Sequence, residues 1–299
     1  MTTVNFHYLH FWNGFFNDPT RPFQTVIERI FDNGKMFDGT GITDVYVFSV
    51  FGCGQPYPNK KPTDFWVGYS GEPHTCDTEL FDINLIMRPD DIEKNVVSCP
   101  LFIMDSESRN FWPQYMVSRP WRNDKPKDSF CAFVVSNTSA NFRFQFFMSL
   151  SQYKRVESCG TGFNNCGFLP PPREAYHAYY AFLSNYKFMI CFENTPMSNY
   201  LTEKLHNAWL GGTIPIYWGC TSAPEWLNPK AFVYVDSTSE ESVAKAIAEI
   251  IRLDNDDVAY KEMYEQPLLL DNKISDALNV NKIQEKVREC LRRRLNFTQ

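Results

Sequence analysis

Short β-branched and aromatic runs alternate with segments of helical periodicity along most of this chain, and few folds accommodate such an alternation. Residues 4–12 run apolar and then break into a Gly/Asn/Asp/Pro-rich stretch over 13–22, after which 25–31 carry apolar residues at helical spacing. Residues 44–50 (DVYVFSV) form a second strand that stops at Gly52 and Gly54. A third, 64–69, ends in the turn Ser70-Gly71-Glu72-Pro73. Strand, helix, strand with loops at the strand ends predicts a parallel α/β layer. Its chemistry belongs in the loops at the carboxyl ends of the strands.

Between residues 119 and 128 the sequence becomes RPWRNDKPKD, charged, proline-punctuated and without hydrophobic period, which reads as a basic linker. A second α/β pattern follows: strand 130–136, a helix containing 143–150, strand 154–157 and a Gly/Asn-rich loop 158–167. Strand 187–192, a helix over 202–209, strands 214–217 and 231–235, and a helix over 237–253 continue it. The last helix opens on STSEES, an N-cap with acidic residues in the first turn. A chain of 299 residues is natural for two such domains, expected at 1–124 and 125–299.

Composition narrows the function classes. The 35 Asp+Glu outnumber the 29 Lys+Arg, a net charge of −6, which argues against a nucleic-acid binder. Hydrophobic content of 43% with 21% charged residues is that of a globular protein with a core. There is no apolar run long enough to span a bilayer and no signal peptide at the start, so a soluble, cytoplasmic protein is expected. The nine cysteines are scattered without a Cys-x-x-Cys pair, and are expected to be reduced thiols serving as small core residues.

Residues 186–236 carry the chemistry. Strand 187–192 delivers Glu193 and Asn194 to its carboxyl end, and a Ser/Asn/Pro turn then leads to Tyr200, Thr202, Glu203 and Lys204 at the start of a helix. A helix N-terminus with a lysine beside it suits a diphosphate. A carboxylate in the same spot can accept hydrogen bonds from sugar hydroxyls or offset positive charge as a glycosidic bond breaks. Together they suit a nucleotide sugar, although Glu203 and Lys204 also fit an ordinary solvated pair on an exposed first turn.

The order of short motifs here resembles the donor-binding region of the α1,3-fucosyltransferases, glycosyltransferase family 10. It includes FEN at 192–194, YLTEKL at 200–205, GGTIPIYWG at 211–219 and NPKAFVYVD at 228–236. FCAFVVSN at 130–137 with Arg143, YKRVESCGTGFNNCG at 153–167 and LDNDDVAYKEMYEQPL at 253–268 fit in sequence. In the N-terminal half only FWNGF at 11–15 and Gly71-Glu72-Pro73 do.

The resemblance implies an α/β fold of the GT-B class, two Rossmann-like domains facing across a cleft, with the acceptor side in 1–124 and GDP-fucose held by 125–299. It implies an inverting fucosyltransferase that moves L-fucose from GDP-fucose to a hydroxyl of an oligosaccharide or glycoconjugate, α1,3 to GlcNAc or Glc. Another GDP-sugar, or a non-catalytic glycan- or nucleotide-sugar-binding module, are the rival readings. By the same resemblance Arg143 and Lys204 neutralise the diphosphate, while Asn194, Tyr200 and Glu203 contact the fucose or ribose and Glu203 also offsets oxocarbenium charge. Glu72 takes the place of the catalytic base, with His74 as its rival.

No metal is expected: Asp254-Asn255-Asp256 looks like a metal-binding Asp-x-Asp but resembles a structural corner in this family, and no Gly-Lys-Ser/Thr follows the glycines at 160–167. Phe11, Trp12, Trp66, Tyr69 and Trp112 are equally suited to a sugar platform or to a core. The terminal segment 283–295 (IQEKVRECLRRRL) sets a basic face opposite Val287 and Leu291, which fits a packed helix or a weak membrane-surface contact.

Overall fold

A computed structural model of the chain describes residues 4–111, 116–120, 126–139 and 141–295. It divides into two compact units, one of Met1–Asn110, Ser198–Thr202 and Asp276–Gln299, the other of Phe111–Met197 and Glu203–Ser275.

The first unit is built on five parallel strands in sequential order: β1 (Asn5–Leu9), β2 (Asp44–Ser49), β3 (Asp64–Ser70), β4 (Ile83–Ile86) and β5 (Val96–Ser98). β3 is buried from end to end, as expected of a central parallel strand. Helix α1 (Pro22–Ile30) starts with proline in its first turn and buries Val26, Ile27 and Ile30. It contacts α2 (Leu101–Ser108). The other side of the sheet is covered by aromatic residues, with Phe48, Trp66 and Phe81 at the centre and Tyr46 and Tyr57 packed on them.

The second unit also carries five parallel strands: β6 (Ser129–Phe133), β7 (Val156–Ser158), β8 (Tyr186–Ile190), β9 (Ile214–Tyr217) and β10 (Val233–Tyr234), in the order β10-β9-β8-β6-β7. Here the chain leaves β6 for β7 on one side and returns to β8 on the other, so the winding reverses between β6 and β8. Its helices are α3 (Asn141–Ser151), α4 (Tyr176–Leu183), α5 (Glu203–Leu210), α6 (Ala223–Trp226), α7 (Glu240–Asn255) and α8 (Asp257–Tyr264). The Ser239 side chain caps α7, accepting from the Ser242 N–H at 3.1 Å.

Three features differ from the sequence reading. The terminal helix α9 (Val280–Arg294), assigned there to the second domain, groups with the first unit. Ile283, Val287, Cys290 and Leu291 are buried, Gln284 donates to the Arg29 carbonyl at 2.9 Å, and Lys286 and Arg294 pair with Asp90 and Asp82. The apolar stripe considered for a membrane surface is therefore spent on the fold.

The expected linker also begins inside a core. Arg119 is 9% exposed, lies over the rings of Trp209 and Tyr264, and donates to the carbonyls of Tyr264, Trp209 and Thr213 at 2.6–2.7 Å. Linker residues 121–125 lie outside the described residues.

Four cysteines, expected as thiols, form the disulfides Cys53–Cys76 and Cys159–Cys166. The first joins the chain just beyond β2 to the loop beyond β3, neighbours only through the strand order, which spacing along the sequence does not reveal.

Candidate functional site

In an open parallel sheet the ligand crevice lies beyond the carboxyl ends of the strands where the winding reverses. In the second unit that point lies between β6 and β8, and a cavity of about 470 Å³ opens there. It is lined by residues that follow β6 (Val135, Ser136, Asn137), β7 (Gly160, Thr161) and β8 (Cys191, Phe192, Asn194), by Arg143 of α3 and by Lys204 and Asn207 of α5. Its volume is that of a drug-sized ligand site.

Two glycines let the backbone close up around it. A Cβ on Gly160 would sit 2.1 Å from the Val135 carbonyl oxygen, so any larger residue would push the loop after β7 off the end of β6. Gly219, at φ +139°, would bring a Cβ to 2.4 Å from that of Glu193.

Glu193 is fully buried, an expensive place for a carboxylate unless it is paired. Lys204 Nζ donates to its Oε2 at 3.0 Å and the Tyr217 hydroxyl to its Oε1 at 3.3 Å. Burial alone would depress the Lys204 pKa, but Glu193 and then Glu203 outweigh it and raise the value. Burial and the Glu193 charge together push the Tyr217 phenol well up, so it stays a donor. Arg143, 3% exposed, donates from Nε to the Glu193 carbonyl at 2.9 Å and from Nη2 to the Asn194 side-chain oxygen. The loop after β8 is thus gripped by α3 on one side and α5 on the other.

Of the residues singled out in the sequence, Arg143, Asn194 and Lys204 share the cavity wall. Glu203, the first residue of α5, pairs with Arg173 at 2.9 Å and lies 3.9 Å from Lys204. Burial opposes its ionisation, yet the charges of Lys204 and Arg173 prevail and hold its pKa down to about 2. The solvated first-turn pair is excluded, since the Glu203 and Lys204 side chains are only 14% and 18% exposed. Tyr200 is grouped with the first unit. It is buried in the short stretch Ser198–Thr202 that belongs to the first unit, where Asn199 donates to Ser98 Oγ at 2.7 Å and Leu201 accepts from the Phe102 N–H at 3.0 Å.

In the first unit Glu72 is half-buried just past β3, its N–H donating to Ser70 Oγ at 3.1 Å, while that hydroxyl reaches the His74 carbonyl at 2.6 Å. His74 is exposed, and the Cys53–Cys76 disulfide pins the same loop. Trp66 and Tyr69, candidates for a sugar platform, are core residues at 6% and 4% exposure. Trp12 is exposed, and its ring meets those of Phe11 and Phe51. Trp112 lies outside the described residues.

The Asp-x-Asp segment is occupied structurally. Asp254 holds Lys154 and Lys187, each at 2.9 Å, and Tyr153 Oη at 3.0 Å, while Asp256 caps α8. Among the described residues one cluster has metal-ligating atoms close together, Glu157 with Cys159 and Cys166, and its two cysteines are bonded to each other.

Sequence reading missed Arg173, Tyr179 and Asn207, which complete the cavity wall. The signal for Arg173 was the run Pro170-Pro171-Pro172 immediately before it, a stiff extended segment that fixes where the next side chain goes. Tyr179 and Asn207 sit on helix positions indistinguishable from core.

A profile of glycosyltransferase family 10 (fucosyltransferase), C-terminal region, matches residues 124–282. The chain belongs to this family. Similar proteins include the α-(1,3)-fucosyltransferase FucT of Helicobacter pylori, 39% identical over 153 residues, covering 50% of this chain and 30% of that protein. The R654 protein of Acanthamoeba polyphaga mimivirus is 29% identical over 272 residues, 86% of this chain and 42% of its own length. This chain therefore aligns with less than half the length of either relative. A crystal structure of an α1,3-fucosyltransferase with GDP-fucose superposes with TM-score 0.71 at 23% identity over 97% of this chain and 90% of that one. The fold is accordingly GT-B, and the family profile covers most of the cavity-bearing unit, Arg143 and Lys204 included.

Proposed function

We propose that this family-10 chain is an inverting fucosyltransferase that moves L-fucose from GDP-fucose to a hydroxyl of an oligosaccharide or glycoconjugate, α1,3 to GlcNAc or Glc. The observation that carries the reading is the pair of cations, Arg143 and Lys204, on the wall of a cavity at the reversal point of the second sheet, with Lys204 in the first turn of α5. Buried cations and a helix N-terminus favour a diphosphate.

In the reaction the acceptor oxygen forms a bond to the anomeric carbon while the bond from that carbon to the diphosphate oxygen breaks. GDP departs with the electron pair, and Arg143 and Lys204 offset the charge it gains. The acceptor hydroxyl proton passes to a carboxylate, assigned to Glu72 of the first unit with His74 as the rival. Asn194, Tyr200 and Glu203 are assigned to the fucose or ribose, and Glu203, held ionised, offsets positive charge at the sugar as the bond breaks. No metal is assigned a step, because the Asp-x-Asp carboxylates are committed to lysines and a helix cap. Among the described residues no helix is long and apolar enough to cross a membrane.

The test is release of GDP from a panel of nucleotide sugars, with and without lactose- and N-acetyllactosamine-type acceptors, and the product linkage read by NMR. Acceptor-dependent release from GDP-fucose with an inverted product is expected. Release from a different GDP-sugar alone would move the donor assignment. Tight GDP-fucose binding without turnover on any acceptor would make the chain a binding module.

A further inference from the structure

Arg173 follows three consecutive prolines and precedes α4, so its backbone is delivered to the cavity by a segment with little freedom. Its guanidinium lines the same cavity as Arg143 and Lys204. There Nη1 donates to Glu203 Oε1 at 2.9 Å, and Nη2 lies 3.5 Å from the Val134 carbonyl, which tethers the side chain to the end of β6. The Glu203 side chain is 14% exposed and that of Arg173 37%, so the arginine is the more open member of the pair. Lys204, by contrast, makes its short contact to Glu193 at 3.0 Å and stays 3.9 Å from Glu203. Arg173 is thus a cation in hydrogen-bond contact with the Glu203 carboxylate.

We infer that Arg173 is a positioning residue for the transfer reaction: it orients the Glu203 carboxylate towards the sugar and keeps it charged through turnover. This rests on the fucosyltransferase reading above. The groups facing Glu203 are Lys204 and His206 from α5, Arg173 from the proline segment and Tyr179 from α4, with Glu193 reaching it through Lys204. Removing Arg173 leaves burial opposed by fewer positive charges. The Glu203 carboxyl then titrates at higher pH, and activity is lost at a correspondingly higher pH on the acid side.

The experiment compares Arg173→Ala, Arg173→Lys, Glu203→Gln and the double variant Arg173→Ala/Glu203→Gln in pH-dependent turnover of GDP-fucose and in chemical denaturation. Arg173→Ala is expected to lower kcat at least tenfold, with a smaller effect on KM for GDP-fucose, and to move the acid limb upward. Arg173→Lys should return the limb towards wild type, and in the Glu203→Gln background the alanine substitution should have little further effect on either readout. An unmoved acid limb with a raised KM would make Arg173 a direct ligand of the donor and overturn the inference. Additive effects of the two substitutions on unfolding would overturn it as well, and that readout holds whether or not the chain turns over GDP-fucose. A wild type inert towards GDP-fucose, with the coupling intact, would count against the functional reading and not against the pair.

Discussion

Lys204 is asked to do two jobs, and they can be separated. It holds the buried Glu193 carboxylate at 3.0 Å, and it presents a charge to the cavity. Lys204→Met keeps the length of the side chain and removes the charge, taking from Glu193 the ammonium at 3.0 Å while the Tyr217 hydroxyl at 3.3 Å stays. Removing one partner of a buried pair costs about 3–5 kcal/mol. At ~2–4 °C per kcal/mol for a unit of this size, that is a fall of about 6–20 °C in Tm. Loss of a charge aimed at a leaving group costs roughly 10²-fold or more in kcat on top of this. A second substitution, Glu193→Gln, removes the carboxylate charge as well, and because neutral replacements of a buried pair are often close to neutral in stability, the double variant should return to within about 1–2 kcal/mol of wild type. Its turnover should not return. The assays are denaturant unfolding with a two-state fit and GDP release under saturating donor. A single variant within about 0.5 kcal/mol of wild type, below the range for a broken buried pair, would refute the burial argument. Recovery of turnover in the double variant would refute the cavity role.

Three further outcomes are expected. Glu72→Ala should lose roughly 10²–10⁴-fold in turnover, the range for a general base, while GDP binding by calorimetry stays near wild type; near-normal turnover would return the assignment to His74. Cys53→Ser should destabilise the protein by about 2–4 kcal/mol, since the bond closes a loop of 23 residues that includes Glu72, and reduction of the wild type, which opens Cys159–Cys166 as well, should cost at least as much; no change under reductant would contradict it. Glu203 is held down to about 2 from an ordinary 4.5, so its stabilising contribution is complete above that ordinary value and is lost as pH falls towards 2. Glu203→Gln should flatten that acid-side fall in a pH series of unfolding curves.

What could be read from the sequence was set by how local the signals are. Strands β2, β3 and β9 stand out because β-branched and aromatic runs stop at Gly, Ser or Thr within a residue or two of their true ends. β5, three residues long, and α4, aromatic nearly all round, give neither a clean period nor a boundary. Arg143, Asn194 and Lys204 were found because their motifs are ordered along the chain, and the strand order then places them on one wall. The pairing of Arg173 with Glu203, 30 residues apart, and of Cys53 with Cys76 depends on which loops the sheets make neighbours, which nothing in local spacing encodes. The terminal helix was misassigned for a related reason. Its stripe of Ile283, Val287 and Leu291 declares that it packs, but the partner is named by long-range contacts, the ion pairs to Asp82 and Asp90 and the bond from Gln284 to the Arg29 carbonyl.

The two sheets also account for the division of labour assigned to them. Five strands in sequential order, as in the first unit, never reverse their winding, so the strand order supplies no switch point at the carboxyl edge. What that edge offers is side chains on separate loops: Trp12 after β1, Phe51 after β2 and Glu72 after β3, with a disulfide tying the last two loops together. A set of that kind can meet a sugar face and take a proton, whereas a diphosphate requires convergent N–H groups and cations. The second sheet reverses between β6 and β8, and the helices following those two strands bring Arg143 and Lys204 to opposite sides of the Glu193–Asn194 loop. The nucleotide end of the proposed donor is therefore assigned to the second unit on topological grounds, before any individual residue is given a role.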